Sequence, residues 1–576
     1  LVQTMASSGE SLAAGAIFTI PALVLVGAWQ DFKFWPTTLI AMTGGLLGIA
    51  FMVPLRKLLI VESPELTYPE GVACAEVLKT GMAEASGGGG VFLLVKGFLA
   101  GGAFKLAASG FGLLSGTVEW AWRTGGAAGG RVFFLGSDLS PALLSVGFIT
   151  GLGVASQVFL GGVIAWVAGL PLLAVPDALA GAAPLDAAWG LWSQKIRYLG
   201  VGAMVVGGLW SIFSMRKGMA RGMSSLAFAY RKASGPITSD RTEENIPGRM
   251  LLALLAFCAT VTFGLYWYLL GNPAVSLLTT ALMLVAAFVF TGVSSYIVGL
   301  VGSSNNPVSG MTISALLGTG GFLLLLGFRG DSAILATLGV AAVVCCAACS
   351  AADCSQDLKT GHILGATPKH QQYAEMIGAV VPAFVIAPVL TLLHHAYVIG
   401  DGLKAPQATL FASLAGGLFG KGEIPLGMVA IGAAIGAGLI AVDSWLKAKG
   451  SRFRLHPMPV AVGMYLPLTL SVPIFLGGLA RYAGLLGWGM ARGRGRTGSR
   501  EAASADGGPP DASNAGILFG SGLIAGESIL GVFLAVAVYL RWSLGLGWSA
   551  PWMVWVSLAA FLALIVYLAK TAGQRE

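Results

Sequence analysis

Apolar residues in this chain fall into blocks of membrane-spanning length. Fourteen such blocks recur from end to end, the first at Ser11–Trp29 and the last at Met553–Ala569. A helix needs about 20 apolar residues to cross the hydrocarbon core of a bilayer. Shorter stretches around Tyr68–Leu78 and Gln407–Gly420 add candidates for short or re-entrant segments. The pattern predicts an all-α polytopic membrane protein with about 14–17 transmembrane helices, some of them broken or re-entrant. The most informative polar interruption is Ser303–Ile313, reading SSNNPVSGMTI, between two long apolar segments. Asn306 followed by Pro307 is a helix-starting pair, because Asn caps well and Pro has no N–H to leave unpaired at the first helical position. Inside a bilayer such a start leaves N–H groups that must face buried protein, water or a bound solute. Its positive end would suit an anionic group. The plainer alternative is a helix that begins at the membrane surface.

Composition agrees with the pattern. Hydrophobic residues make up 56% of the chain and charged residues 10%, against about 25% charged in a typical soluble domain. The mean hydropathy is +0.80. The 84 glycines suit close approach between transmembrane helices. The net charge of +8 is no nucleic-acid signal, since it gathers in loops. Arg216, Lys217, Arg221, Arg231, Lys232, Arg241 and Arg249 share one loop with three acids, which the positive-inside rule assigns to the cytoplasm. Two further basic loops, Lys447–Arg454 and Arg481–Arg500, flank the single run Met458–Leu479. Either that run is broken at its prolines, Pro457, Pro459, Pro467 and Pro473, or one loop departs from the rule.

Cys345, Cys346, Cys349 and Cys354 cluster on one apolar helix. They read as a soft-metal site or as small packing residues. Packing is preferred, because apolar burial disfavours the thiolate that a metal requires. The adjacent His394 and His395 do not converge on one ion. No metal and no cofactor is expected. Residue 1 is Leu, which leaves room for a preceding segment.

Weak self-similarity recurs at a spacing of roughly 150 residues: Ala14–Phe18, Ser145–Ile149, Ser309–Ile313 and Val462–Leu466 occupy corresponding places. This divides the chain into halves, 1–301 and 302–576, of two repeat units each. Ser86–Gly90 reads as a flexible joint without the lysine of a phosphate-binding loop. Residues 491–514, rich in Gly, Arg, Ser and Asp, read as a mobile surface loop.

Ionisable residues in or beside spans are costly and mark candidate sites. In the first cluster, Pro69 opens a short helix with Glu70 in its first turn, and Glu76 lies two turns on; the alternative is an interfacial helix with solvated charges. The second runs from Asp353 to His370. Asp353 and Asp357 share a helical face, with Gln356, Lys359 and His362 close by, and the alternative is an ordinary solvated helix end. Here a carboxylate beside lysine and histidine suits binding a solute or carrying a proton. The third is Glu527, alone in the apolar run Ile517–Leu540 and too short to snorkel. The candidate substrate-binding residues are Ser303, Ser304, Asn305, Asn306, Pro307, Ser309, Tyr68, Glu70, Gln356 and Lys359. The candidate proton-coupling residues are Glu76, Asp353, Asp357, His362 and Glu527.

At Thr67–Leu78 (TYPEGVACAEVL), Ser303–Ile313, Ser355–His362 (SQDLKTGH) and Gly522–Glu527 (GLIAGE), the chain resembles the oligopeptide transporter (OPT) superfamily. The likeness is to bacterial members related to the yellow-stripe-like branch. The resemblance implies a bundle of about sixteen helices built from repeats and working by alternating access. It also implies proton-coupled symport of small peptides, glutathione-like compounds or metal chelates. The yellow-stripe-like branch carries an aromatic after Lys-Thr-Gly where this chain has His362, which weakens transfer of a metal-chelate substrate.

The leading expectation is therefore a proton-driven symporter of small oligopeptides in the bacterial inner membrane. A peptide's carboxylate would meet the N–H groups after Asn306, and its amine Asp357, Glu76 or Glu527. The expected partners are a peptide-like solute, protons and membrane lipid, without nucleic acid; homo-oligomerisation is left open. A siderophore-like metal chelate is the alternative solute. A passive channel is a different class, and an intramembrane enzyme lacks paired metal-binding histidines or an activated serine.

Overall fold

The computed structural model describes residues 1–576 except 64, 65, 67, 69, 73, 76, 77, 79–88, 127, 128, 215–240, 304, 305, 307, 401, 402, 404, 421–424, 452, 492–509, 543–551 and 573–576. Among the described residues, 13 helices are long and apolar enough to cross a membrane. This is an all-α polytopic membrane protein, with one β-hairpin among the described residues. Its helices form two compact units, each assembled from two separated stretches of chain. The first unit takes Leu1–Ala85 and Gly208–Ile424; the second takes Ser86–Gly207 and Pro425–Glu576.

The first unit is built around the 34-residue helix Asp331–Leu364, about 51 Å long at 1.5 Å per residue. Nearly every side chain from Ala333 to Gly361 is buried. The helices Val2–Thr19, Phe34–Met52, Pro273–Val301, Val308–Leu325 and Pro368–Tyr397 all pack on it. Small residues make this possible. A methyl on Gly48 would sit 2.3 Å from the Ala347 carbonyl oxygen, so the two backbones touch directly. Cys345 and Cys349 pack with Val293, Ile297 and Met311.

Two Asn-Pro pairs flank the helix Pro273–Val301, and they behave differently. Asn272 caps its start, its side-chain oxygen accepting from the N–H groups of Ala274 and Val275 at 3.0 and 3.2 Å. At its other end the chain turns at Gly302, with φ +85°, and the next helix begins at Val308. Asn306 does not take the capping role expected of it. Its amide donates to Ser294 Oγ at 2.7 Å, while its side-chain oxygen is buried without a donor.

In the second unit, Pro141–Gly162 pairs with Leu468–Ala491, and Gly89–Lys105 pairs with Pro510–Tyr539. Glycines face backbone on both sides of each pair: Gly147 against Ile474 and Gly477 against Leu144, Gly97 against Phe519 and Gly526 against Phe98. The run Met458–Leu479 is broken, as its prolines suggested, into Pro457–Tyr465 and Leu468–Ala491 with Leu466 extended between them. Pro141–Gly162 is interrupted at Gly151, with φ 82°. There Arg481 donates to the Ile149 carbonyl at 2.9 Å, which satisfies an acceptor freed by the break.

Strands β1 (Thr117–Thr124) and β2 (Arg131–Asp138) form an antiparallel hairpin with Thr117 opposite Asp138 and Thr124 opposite Arg131. Trp122 stacks on Phe133 at 5.5 Å, and Phe134 is buried against Trp166 and Trp189. Arg123 ties the hairpin to the carbonyls of Ala180 and Ala182 at 2.7 and 2.9 Å. Of the expected loop 491–514, residues 492–509 lie outside the described residues, and the helix Pro510–Tyr539 starts directly after them.

Candidate functional site: a buried polar layer around the Asp331–Leu364 helix

The last three turns of the Asp331–Leu364 helix carry polar side chains into protein rather than solvent. Gln356, 5% exposed, is the hub. Its Nε2 donates to Glu70 Oε2 at 2.8 Å and to the Val298 carbonyl at 3.3 Å. Its Oε1 accepts from the Gly71 N–H at 2.7 Å. Thr360, one turn on, donates to the Gly71 carbonyl at 2.9 Å. One helix face thus holds both polar groups of the Gly71 backbone, replacing the water they would otherwise need.

Glu70, Gly71 and Val72 are helical, and the turn is anchored by Tyr68. The Tyr68 N–H donates to the Gly299 carbonyl at 2.9 Å, and its hydroxyl donates to the Ser295 carbonyl at 3.2 Å. Tyr68 has a φ of 52°, rare for a bulky residue, and burial pushes its phenol well above the ordinary value. Glu70 reaches the helix break: a methyl on Gly302 would lie 2.2 Å from Glu70 Oε1. Lys359 donates to the Ile60 carbonyl at 3.2 Å and stands 5.9 Å from the Tyr68 ring centre.

The break joins the same layer. Ser303 and Ser11 both reach the Asp353 carboxyl. Asn306 holds Ser294, whose hydroxyl donates to the Ala348 carbonyl at 2.7 Å. Ser309 lies half-buried in the first turn of Val308–Leu325. His362 differs from its neighbours. It is exposed, at the end of the helix shared with Lys359, Arg56 and Glu243. Arg56 is buried there, donating to Asn245 Oδ1 at 3.0 Å and to the Thr242 carbonyl at 2.8 Å. Burial pulls its guanidinium pKa down, opposed by Glu243.

Asp357 is 2% exposed and points away from Gln356, toward the helices Val2–Thr19 and Pro368–Tyr397. Gln3 donates to its Oδ1, and the Ser7 hydroxyl reaches it as well. Its other neighbour is Glu375, which the reading of spans passed over. Glu375 is 0% exposed, and its carboxyl lies in hydrogen-bonding contact with that of Asp357. The signal was available, since an acid just inside the apolar run Ala374–Leu393 meets the same criterion that singled out Glu527.

Glu527 itself belongs to the second unit. It accepts from Ser140 Oγ at 3.0 and 3.1 Å and from the Ala142 N–H at 2.7 Å, at the start of Pro141–Gly162. A carboxylate there completes the first turn and meets the positive end of the helix. Nearby Asp138 is pushed up to about 6 by burial, with Glu119 and Glu527 adding to the rise and Thr469 and Lys105 opposing it. Glu76, Ser304, Asn305 and Pro307 lie outside the described residues. Among the described residues, no group of three or more His, Cys, Asp or Glu side chains is arranged to hold a metal ion.

A family model described as "OPT oligopeptide transporter protein" matches residues 1–538. The chain belongs to the OPT family. It is a multi-pass membrane transporter of that family. A protein of Haemophilus influenzae named "Putative oligopeptide transporter" is 34% identical over 99% of this transporter and 92% of its own length. More distant similarity connects the transporter to plant proteins. A rice protein named "Probable metal-nicotianamine transporter YSL13" is 24% identical over 75% of this chain, which covers 62% of the plant protein. Rice "Iron-phytosiderophore transporter YSL15" is 25% identical over 77% of this chain and 68% of its own.

Proposed function

We propose that this transporter is a proton-coupled symporter that carries small oligopeptides or peptide-like solutes across the bacterial inner membrane by alternating access. The observation that carries the reading is the helix break at Gly302, set against Glu70, Asp353 and Gln356 inside one unit. Polar backbone ends are tolerated at membrane depth where they line a solute site. A zwitterionic peptide matches this mixture: amide and N–H groups for its carboxylate, Glu70 and Asp353 for its amine. The bacterial relative's name supports a peptide solute. The plant relatives' names support a second reading, a metal chelate of a peptide-like molecule, which offers the same carboxylates and amines to the protein. Residues 241–247, the described end of the basic loop, lie at the Arg56 and His362 end of the first unit, and the positive-inside rule gives that end to the cytoplasm. We further propose that the halves 1–301 and 302–576 each contain two repeat units.

Reconstitution into proteoliposomes tests the reading. Labelled trialanine should exchange in counterflow and accumulate above equilibrium when an inward proton gradient is imposed. Equilibration without counterflow would favour a channel. Uptake of a labelled ferric or nickel chelate in place of the peptide would favour the second reading.

A further inference from the structure

Two acids in contact inside a membrane helix bundle pose a question of proton count. Glu375 is fully buried, and neither of its carboxyl oxygens meets a donor; Asp357 Oδ2 is in the same condition. The Ser8 hydroxyl lies within reach of the Glu375 carboxyl, but its single proton goes to the Glu375 backbone carbonyl at 2.9 Å. The Gln371 amide, one turn earlier, likewise donates to the Asp357 backbone carbonyl at 2.9 Å rather than to either side chain. The one side-chain amide bonded to the pair, that of Gln3, is on Asp357 Oδ1. Asp357 Oδ2 and the Glu375 carboxyl are therefore left to satisfy each other.

The surroundings do not favour a double negative charge. Asp353 and Cys354 face the pair from the Asp331–Leu364 helix, and Cys74 faces Asp357 from the turn after Tyr68. From Val2–Thr19 come Ser7 and Ser8, with Glu10 facing the adjacent Asp353. Two ionised carboxylates in contact repel and offer each other no hydrogen; one proton between them converts the repulsion into a charge-assisted hydrogen bond. We propose that Asp357 and Glu375 hold a single proton between them, one carboxyl donating to the other, and that this pair is the proton-binding site of the transporter. Loading and release change the pair from a charge of −2 to −1 and back, with one proton entering or leaving and no other bond made. Gln3 and Ser7 hold Asp357 from a separate helix. A movement of Val2–Thr19 against Asp331–Leu364 would remove those donors from the carboxylate and so alter its hold on the proton.

The coupling role rests on the symport reading, whereas the shared proton does not, and the test separates them. In purified transporter at neutral pH, infrared absorption reports the C=O stretch of protonated carboxyls without any solute. The spectrum of wild type minus Glu375→Gln should show one such band, shifted by deuteration and displaced by ¹³C labelling of the side-chain type, aspartate or glutamate, that carries the proton. Glu375→Asp, which keeps two carboxyls, should retain the band. Should Glu375→Gln not fold, subtraction of Asp357→Asn reads the same pair. Absence of the band, or two such bands displaced by different labels, overturns the single shared proton. In proteoliposomes, Glu375→Gln should lose gradient-driven trialanine uptake while keeping counterflow. Wild-type uptake that ignores the proton gradient would overturn coupling and leave the shared proton to the spectrum.

Discussion

Glu527 offers the sharpest separation between a structural carboxylate and a proton-carrying one, through two substitutions at one position. Its carboxylate accepts the Ser140 hydroxyl and the Ala142 N–H, the latter at 2.7 Å, at the positive end of a 22-residue helix. Hydrogen bonds to a charged group are worth about 1.5–3 kcal/mol each, and a carboxylate at a helix N-terminus adds about 0.3–2 kcal/mol. Glu527→Gln keeps one side-chain oxygen for the Ala142 N–H and loses the charge, so it should cost about 1–2 kcal/mol. Glu527→Ala leaves both donors unpaired and should cost about 3–5 kcal/mol. Denaturation of the purified protein in detergent reads the two costs, and proteoliposome uptake reads function. The expected result is a small cost with gradient-driven uptake kept for glutamine, and a large cost for alanine. Equal costs would refute the anchoring argument. Loss of gradient-driven uptake in a glutamine variant of wild-type stability would show that Glu527 titrates in the transport cycle.

Gln356→Met removes the acceptor of the Gly71 N–H and the donor to Glu70, and should cost about 2–5 kcal/mol by the same denaturation measurement, with weaker trialanine uptake. Gly302→Ala places a methyl 2.2 Å from Glu70 Oε1 at a φ of +85°, so it should cost about 1–3 kcal/mol or more and displace Glu70; wild-type stability would be the contrary result. Asp138, raised to about 6 by burial, binds its proton more tightly folded than unfolded. Its contribution is therefore fully present below the ordinary aspartate range near pH 4 and is lost as pH rises toward about 6. That amounts to about 3 kcal/mol at 1.36 kcal/mol per unit. Asp138→Asn should flatten this part of the stability–pH profile, which denaturation at pH 4.5 and 7 would detect.

The spans were legible because apolar length alone marks a helix that can cross a bilayer, and Pro467 marked the break between Pro457–Tyr465 and Leu468–Ala491. Part of the polar layer was legible too, since Glu70, Asp353, Gln356 and Asp357 are expensive wherever a membrane helix carries them. Their partners were not, because a hydrogen bond such as Gln356 to Glu70 joins residues far apart in sequence. Asn306 shows the limit of local rules: its capping preference is real, yet its side-chain oxygen caps nothing and its amide nitrogen is turned to Ser294 on the preceding helix. The hairpin 117–138 escaped notice between apolar blocks, although its aromatic and β-branched residues favour strands. Nor does composition reveal that contacts group 1–85 with 208–424 rather than with the intervening chain.

That grouping has a consequence for how the protein is made. Val2–Thr19 and Phe34–Met52 pack on a helix that begins at Asp331, and all of Ser86–Gly207, part of the other unit, is synthesised in between. At about 5–20 residues per second that stretch alone takes about 6–25 s. During that time the first two spans have no central helix to receive them, although Thr4, Ser8, Thr37 and Thr38 on them are buried in the finished unit. Until the chain passes Leu364, these faces meet lipid or the insertion machinery in place of the central helix.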